Sequence, residues 1–241
     1  MEILFLFALI AIAFIYSSVG HGGASGYLAL MAFAGIAPYM MRTSALILNL
    51  FVAGIAFITF YRAGYFRPRI IWPFLITSIP MSFAGAATEI NAGVYRFILA
   101  VLLLLAVFRI MMPIRETEAV KQVPVAGGLA CGALLGLVSG IIGIGGGILL
   151  SPLLLIMRWA SLKEAASASA LFILLNSASG LISLAGQGKL DLSEEIILWV
   201  MAGIAGGLAG SYSGGYKLSL KSLKFILSAV LILASIKLII L

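Results

Sequence analysis

Long apolar stretches, separated by short polar segments, make up most of the chain. Two of them, residues 3–41 and 122–157, contain no Asp, Glu, Lys or Arg. A continuous helix of either length would be on the order of 55 Å long, because an α-helix rises about 1.5 Å per residue. The hydrocarbon core of a bilayer is only about 30 Å thick. Each stretch must therefore break, turn back or cross the membrane twice.

Each of these two stretches carries a group of glycines near its middle. The first glycine cluster, residues 20–26, has the sequence GHGGASG, and the second glycine cluster, residues 143–147, has the sequence GIGGG. Consecutive glycines break a helix, because glycine is a poor helix former and adopts backbone angles that other residues avoid. Glycine-interrupted apolar segments in corresponding halves of a chain indicate a transporter binding site.

The remaining pattern predicts one broken element and three helices in each half of the chain. In the first half these are residues 3–37 (broken near 17–26), 43–61, 70–88 and 93–112. In the second half they are residues 123–158 (broken near 139–147), 164–186, 195–214 and 220–241. We therefore predict an all-α polytopic membrane protein, in which residues 1–115 and 116–241 form two repeats of one membrane domain.

Recurring sequence features support the repeat. The tripeptide SAL begins at Ser44 and is followed by Asn49; it begins again at Ser169 and is followed by Asn176. The sequence RFIL near the end of the first half recurs as KFIL near the end of the second half. Internal repeats of this kind fix the architecture of a chain, so the two glycine clusters are expected to occupy equivalent places.

The composition agrees with a membrane protein. The chain is 63% hydrophobic and 10% charged, whereas soluble domains carry about 25% charged residues. A net charge of +7 would suggest a nucleic-acid partner in a soluble protein, but here basic loops on the cytoplasmic face explain it. The expected surroundings are therefore a lipid bilayer, with no nucleic acid. The single cysteine, Cys131, excludes an internal disulfide, and no cofactor or metal is expected. The start of the chain lacks the basic segment of a signal peptide, so the first apolar stretch is expected to remain in the mature protein.

The basic residues indicate how the broken elements lie. If each crossed the membrane once, the 15 Lys and Arg residues would divide seven against eight. If each turns back, eleven lie on one side, and only four on the other: Arg42, Arg96, Lys189 and Lys237. The second arrangement obeys the positive-inside rule. It predicts inverted halves, with both termini outside the cytoplasmic membrane.

The glycine clusters are candidates for an anion site. An apolar helix begins after each cluster, near Tyr27 and near Ile148, and the free N–H groups and dipole of a helix N-terminus attract anions. Two such ends that meet at the middle of the membrane would form one pocket for a small anionic substrate. The predicted binding residues are Gly20, His21, Gly22, Gly23, Ser25, Asn49, Gly143, Gly145, Gly146, Gly147 and Asn176.

Several of these residues have a purely structural alternative. The two asparagines are buried amides that could equally hold helices together. His21 is either a hydrogen-bonded structural histidine or a group that couples proton movement to anion movement. Glycines at four-residue intervals in residues 132–140 and 203–214 indicate helix-packing faces. The second of these faces is also compatible with a homodimer.

The second glycine cluster, followed by Ser151-Pro152-Leu153 and then by the helix that contains Asn176, resembles the sulfite exporter TauE/SafE family of membrane permeases. The resemblance covers essentially the whole chain. In the first cluster His21 takes the place of Ile144, Ala24 takes the place of Gly147, and no proline follows. The resemblance implies a function in moving small sulfur oxyanions or organosulfonates across the cytoplasmic membrane.

Three function classes are compatible with the residues. The favoured one is a secondary transporter for small sulfur-containing anions, which works by alternating access around the glycine clusters. An anion-selective channel with the same pocket, or a transporter of another small anion, is the alternative. An enzyme would need a convergent catalytic set. The segment 23–26 matches the Gly-x-Ser-Gly motif of intramembrane proteases, but the only histidine of the chain lies in the same break.

Overall fold

The fold is built from α-helices. The computed structural model describes residues 2–111, 121–190, 192, 194–216, 232 and 236. Within these residues it contains nine helices and no β-strand. They are α1 (Glu2–Ser18), α2 (Ala24–Phe33), α3 (Pro38–Arg62), α4 (Pro68–Ala87), α5 (Ala92–Met111), α6 (Val125–Ile142), α7 (Gly147–Ile156), α8 (Leu162–Gly186) and α9 (Ile196–Tyr216). The helix predicted over residues 220–241 lies almost entirely outside the described residues.

Both glycine clusters interrupt helices where the sequence predicts a break. α1 ends at Ser18 and α2 begins at Ala24, while α6 ends at Ile142 and α7 begins at Gly147. One boundary differs from its prediction, because α3 begins at Pro38 rather than near residue 43. A proline is well suited to the first turn of a helix, where its missing N–H would have no partner.

The long helices are suited to cross a membrane. Five of them are long and apolar enough by length and composition: α3, α4, α6, α8, and the part of α9 from Ile196 to Gly214. By contrast, α2 and α7 have only ten residues each. A ten-residue helix extends about 15 Å, which is half the hydrocarbon core. The chain is thus a multi-pass membrane protein with two half-length helices.

The helices pair across the two halves of the chain. α1 packs against α9, and α4 packs against α6. α3 and α8 pack against each other, α4 also contacts α8, and α3 also contacts α9. Exchanging the two halves in this scheme, with α1 matched to α6, α3 to α8 and α4 to α9, gives the same set of pairs.

Glycines line the two interfaces that α6 and α9 form. Gly132, Gly136 and Gly140 of α6 lie against backbone oxygens of α4, so that an added Cβ atom would collide with those oxygens. On α9, three glycines lie in the same way against backbone oxygens of α1: Gly206, Gly210 and Gly214. The predicted packing faces are therefore confirmed. Since the α9 face is occupied within the chain, it no longer argues for a homodimer.

Contacts along these pairs give the direction of each helix. Gly206 contacts Ile10 and Gly210 contacts Phe14, so α9 runs parallel to α1. The contacts of Gly203 with Leu48 and of Gly207 with Val52 make α9 parallel to α3 as well. Since α1 and α3 both run in the direction of α9, the chain between them must reverse, and α2 forms the returning leg.

The second half reverses in the same way. The contacts of Gly136 and Gly140 with Ser78 and Ser82 make α6 parallel to α4. α8 is also parallel to α4, because the hydroxyls of Ser179 and Ser183 donate to the carbonyls of Ile79 and Phe83. α7 is therefore the returning leg between α6 and α8. α3 and α8 are antiparallel, since Leu46 contacts Gly180 whereas Gly54 contacts Leu174.

Candidate anion site at the glycine clusters

The two glycine clusters meet at the middle of α3 and α8. A Cβ atom on Gly22 would collide with the amide of Asn49 and lie 3.0 Å from Ile173. A Cβ atom on Gly145 would lie 2.7 Å from Ile173 and 2.9 Å from the amide nitrogen of Asn49. Both clusters thus contact the same two side chains, and we call Gly22, Gly145, Asn49 and Ile173 the central junction.

Asn49 lies between the clusters with one end of its amide toward each. Its Oδ1 faces Gly22, and its Nδ2 faces Gly145. The Nδ2 group donates a hydrogen bond of 3.2 Å to the hydroxyl of Ser177. The Oδ1 atom is buried and has no hydrogen-bond partner. A buried polar atom without a partner is unfavourable for folding, and such atoms are therefore candidates for ligand contacts.

Glycine is required in both clusters by the backbone conformation. Gly20 and Gly23 have φ angles of 76° and 99° in the first cluster. In the second, Gly143, Gly145 and Gly146 have φ angles of 84°, 72° and 72°. Residues with a Cβ atom seldom adopt these angles, because the Cβ atom approaches the neighbouring carbonyl oxygen.

The N-termini of α2 and α7 are buried at these clusters without side-chain caps. Gly23 is the N-cap residue of α2 and Gly146 that of α7, and neither can offer a side chain to the first N–H groups. α8 is different, because its N-cap Ser161 and Glu164 form a complete capping box. The first N–H groups of a helix have no partner inside it. The sequence thus leaves two sets of donors open at the central junction.

Two buried hydroxyl groups lie beside these N-termini. The ring of Tyr27 packs against Gly23, and its hydroxyl has no hydrogen-bond partner. Ser139 packs against Gly146, and its hydroxyl is likewise buried without a partner. Sequence reasoning missed both residues as donors. The available signal was spacing, since Tyr27 lies one helical turn after the N-cap glycine of α2.

The other predicted residues of the first cluster make their contacts outside the central junction. The Ser25 hydroxyl is buried and lies 2.6 Å from the hydroxyl of Tyr16. His21 is half-buried, and its Nδ1 lies 2.9 Å from the carbonyl oxygen of Val19. Gly20 packs directly against Ala166 of α8. The Ser25–Tyr16 contact does not provide the serine–histidine pair that a protease would need.

In the second cluster, Gly147 packs against the side chain of Ile173 and the carbonyl of Ser169. Gly143 packs against Arg42, at the end of α6. Among the described residues, no group of three His, Cys, Asp or Glu side chains is arranged to hold a metal ion. The chemistry available at the central junction is therefore that of neutral donors: backbone N–H groups, hydroxyls and one amide.

Asn176 is placed differently from Asn49. Its Nδ2 group donates to the hydroxyl of Ser78 (3.1 Å) and to the carbonyl of Phe172 (2.8 Å). The main-chain carbonyl of Asn176 accepts a hydrogen bond from the hydroxyl of Ser82. The bonds with Ser78 and Ser82 join α8 to α4, whereas the bond to Phe172 lies within α8. The Oδ1 atom of Asn176 is buried without a hydrogen-bond partner, as that of Asn49 is. The residue of α8 that shares the central junction with Asn49 is the apolar Ile173.

The multi-pass helices and the buried, broken elements are typical of membrane transporters. The family model described as "Sulfite exporter TauE/SafE" matches residues 4–238. A relative from Sinorhizobium fredii, named "Probable membrane transporter protein y4hK", is 33% identical over 236 residues, which cover 96% of this chain and 95% of that protein. No solved structure matches the chain significantly. The chain belongs to the sulfite exporter TauE/SafE family, whose members are transporters and not enzymes.

Proposed function

We propose that this protein is a secondary transporter of small sulfur-containing anions, sulfite or organosulfonates, across the cytoplasmic membrane. The observation that carries the proposal is the convergence of two uncapped, buried helix N-termini on Asn49. The sulfur chemistry of the substrate comes from the family. The geometry supports a small anion, because it offers donors and the positive ends of two helix dipoles.

The anion would be held without a full positive charge. The nearest neighbours of Gly22 and Gly145 are uncharged: Asn49, Ile173 and Ser177. A hydrogen bond to a charged partner contributes about 1.5–3 kcal/mol, so a few backbone N–H groups provide useful affinity. A site without a fixed cation also releases its anion readily, which a transporter needs. The open N–H groups of α2 and α7 would bind the oxygens, and the hydroxyls of Tyr27 and Ser139 would add donors.

Alternating access would follow from two inverted halves, residues 1–115 and 116–241. Support comes from the antiparallel packing of α3 and α8 and from the matching helix pairs of the two halves. α2 and α7 approach the central junction from opposite sides. Rocking of one bundle against the other would then open the junction to each side in turn.

The distribution of charge supports an orientation. At the end of the bundle where α4 and α8 begin, Arg67 forms an ion pair of 3.2 Å with Glu164. Lys121 and Arg158 are joined at the same end, through a backbone hydrogen bond of 2.7 Å. We assign this basic end to the cytoplasm, which leaves the start of α1 outside. The prediction that the C-terminus also lies outside falls on residues that the structure does not describe.

The test is uptake of labelled sulfite into proteoliposomes, with and without a proton gradient. Sulfate, thiosulfate, isethionate and a carboxylate serve as competitors. We expect saturable uptake that sulfur anions inhibit, and we expect Gly145→Val to abolish it. Gly186→Val is the matched control, since a Cβ atom at Gly186 would meet nothing within 4 Å.

Other outcomes would redirect the proposal. Flux that never saturates would indicate a channel. Saturable uptake that only the carboxylate inhibits would indicate another class of anion. Full transport by a Gly145→Val protein that is correctly folded would refute the assignment of the site.

A further inference from the structure

A cavity separate from the central junction opens at the end of the bundle opposite to the basic end. Its volume is about 370 Å³, which lies within the range of ligand pockets. The starts of α3 and α5 and the ends of α4 and α8 enclose it. Its rim is exposed at Tyr39, Thr88 and Glu89, and its inner wall is buried at Thr43 and Tyr95. We call this cavity the vestibule.

Arg42 forms the inner end of the vestibule. Its guanidinium donates through Nε and Nη2 to the carbonyl of Gly140, at 3.1 and 2.6 Å, and through Nη2 to the carbonyl of Gly85, at 3.1 Å. These carbonyls belong to the last turns of α6 and α4. The bonds hold the guanidinium in one orientation and leave Nη1 without a hydrogen bond to any residue that the structure describes.

No carboxylate in the described part of the chain neutralises Arg42. The ion pairs recorded there are Arg67 with Glu164 and Lys189 with Glu89. Glu89 also lines the vestibule, but its partner is Lys189 at the rim. A half-buried arginine inside a membrane helix is unfavourable without a counter-charge, and such residues mark ion pathways. The charge of Arg42 is thus available to a visiting anion.

Arg42 also connects the vestibule to the central junction. Arg42 and Asn49 are seven residues apart on α3, which is two turns or about 10 Å along the same helix face. The side chain of Arg42 packs against Gly143, and Gly145 two residues later contacts Asn49. An anion at Arg42 would therefore lie next to the second glycine cluster.

We propose that the vestibule is a second anion site, in which Arg42 binds a small oxyanion at the outer entrance to the central junction. The central junction contains no charged side chain that would attract an anion from a distance, and Arg42 supplies this attraction. A positive charge in a recess raises the local concentration of anions and their rate of entry. The passage of this anion from Arg42 to the central junction rests on the proposed function. The binding of the anion at Arg42 does not.

The first experiment measures the vestibule without transport. Thr88→Cys, in a Cys131→Ala background, places a thiol on the exposed rim. Its reaction rates with an anionic and a cationic methanethiosulfonate reagent are compared in phosphatidylcholine vesicles. Arg42→Gln should lower the anionic-to-cationic rate ratio by at least about threefold, because a unit charge nearby acts on both reagents. Arg69→Gln is the matched control, since it removes an equal charge from the opposite end of α4.

Sulfate protection tests the same site with Arg42 intact, and so does not depend on folding of the variant. We expect sulfate to slow modification of the thiol and Arg42→Lys to keep part of this protection. An unchanged rate ratio together with no protection by sulfate would overturn the proposal. Protection by phosphatidylglycerol but not by sulfate would also overturn it, by assigning the vestibule to a lipid headgroup.

The second experiment measures entry of labelled sulfite from the outer side. Arg42→Gln should raise KM by about tenfold at low ionic strength and less at high ionic strength, with little change in the maximal rate. An unchanged KM, with normal uptake by the unmodified protein, would refute the role of Arg42 in entry. Absence of uptake by the unmodified protein would refute the proposed function alone, because the thiol measurement still decides the vestibule.

Discussion

The two glycine clusters reach the same junction by different means. In the second cluster Gly145 combines a positive φ angle with close contacts to Ile173 and Asn49. In the first cluster Gly22, which makes the equivalent contact, has an ordinary φ angle and is constrained only by space. At the junction itself, backbone conformation and space both require glycine at position 145, whereas at position 22 only space requires it. Two glycines that occupy equivalent places are therefore constrained differently.

The largest expected effect tests this inequality. Gly145→Ala should abolish sulfite uptake, because strain in the backbone and a clash with Ile173 act together. Gly22→Ala should retain at least about tenfold more uptake, since only a side-chain amide has to move and the loss corresponds to less than about 3 kcal/mol. Both variants should be compared with Gly186→Ala in proteoliposomes. Equal losses would show that the clusters are constrained alike.

The two asparagines extend the comparison to α3 and α8. Asn49→Ala should reduce uptake by about a hundredfold. It should cause little loss of stability, because the side-chain amide of Asn49 makes a single hydrogen bond among the described residues, to the hydroxyl of Ser177. Asn176→Ala should keep uptake within a few-fold but lower the free energy of unfolding by about 1–3 kcal/mol, since it breaks the hydrogen bond to Ser78 of α4 and the one to the Phe172 carbonyl. Uptake assays and thermal unfolding separate the two effects. A reversed pattern would place the anion at Asn176.

The unpartnered hydroxyls give a smaller effect at each cluster. Tyr27→Phe and Ser139→Ala should raise the KM for sulfite about three- to tenfold. Neither should lower stability, because each removes a buried hydroxyl that has no partner in the folded protein. KM and the unfolding temperature are measured on the same preparations. A loss of stability without a change in KM would mean that the hydroxyls serve folding.

The smallest effect is expected at Glu89, on the exposed rim of the vestibule. The hydrogen bond and charge of Lys189 hold the pKa of Glu89 below its usual value. A lowered pKa adds stability above the pKa of the unfolded chain, and this contribution disappears as the pH falls through the pKa of the folded protein. Because Glu89 is fully exposed, Glu89→Gln should lower the unfolding temperature only slightly at neutral pH and not at all in acid. A large decrease would show that the rim holds the bundle together.

The sequence predicted the helices that the structure describes and both breaks, because runs of apolar residues and consecutive glycines act locally. The repeat in the sequence matched Asn49 with Asn176, whereas helical register matches Asn49 with Ile173, so the binding role of Asn176 stays a prediction. α3 and α8 both have 25 residues, and Asn49 and Ile173 hold the same position in them. Asn176 lies nearly one turn further along. Two helices of equal length can be matched in only one register when neither contains an insertion. The contacts between the helices show which register that is.

The predicted helix boundary also misplaced Arg42. The predicted start of α3 near residue 43 treated Pro38 as the end of a helix, which left Arg42 just outside α3. With the helix beginning at Pro38, Arg42 lies inside α3 and two turns from Asn49. The position of a proline within a helix depends on what precedes it, and the sequence alone does not distinguish a terminating proline from a starting one.

The length of α2 and α7 has a consequence for how the protein is made. A ten-residue apolar helix is too short to be inserted into a membrane as a span of its own. Its unpaired N-terminal donors are also unfavourable in lipid. We therefore expect both helices to enter the bilayer only when α3 and α8 provide a surface for them. The central junction would then form late during biosynthesis, after these two spans are in place.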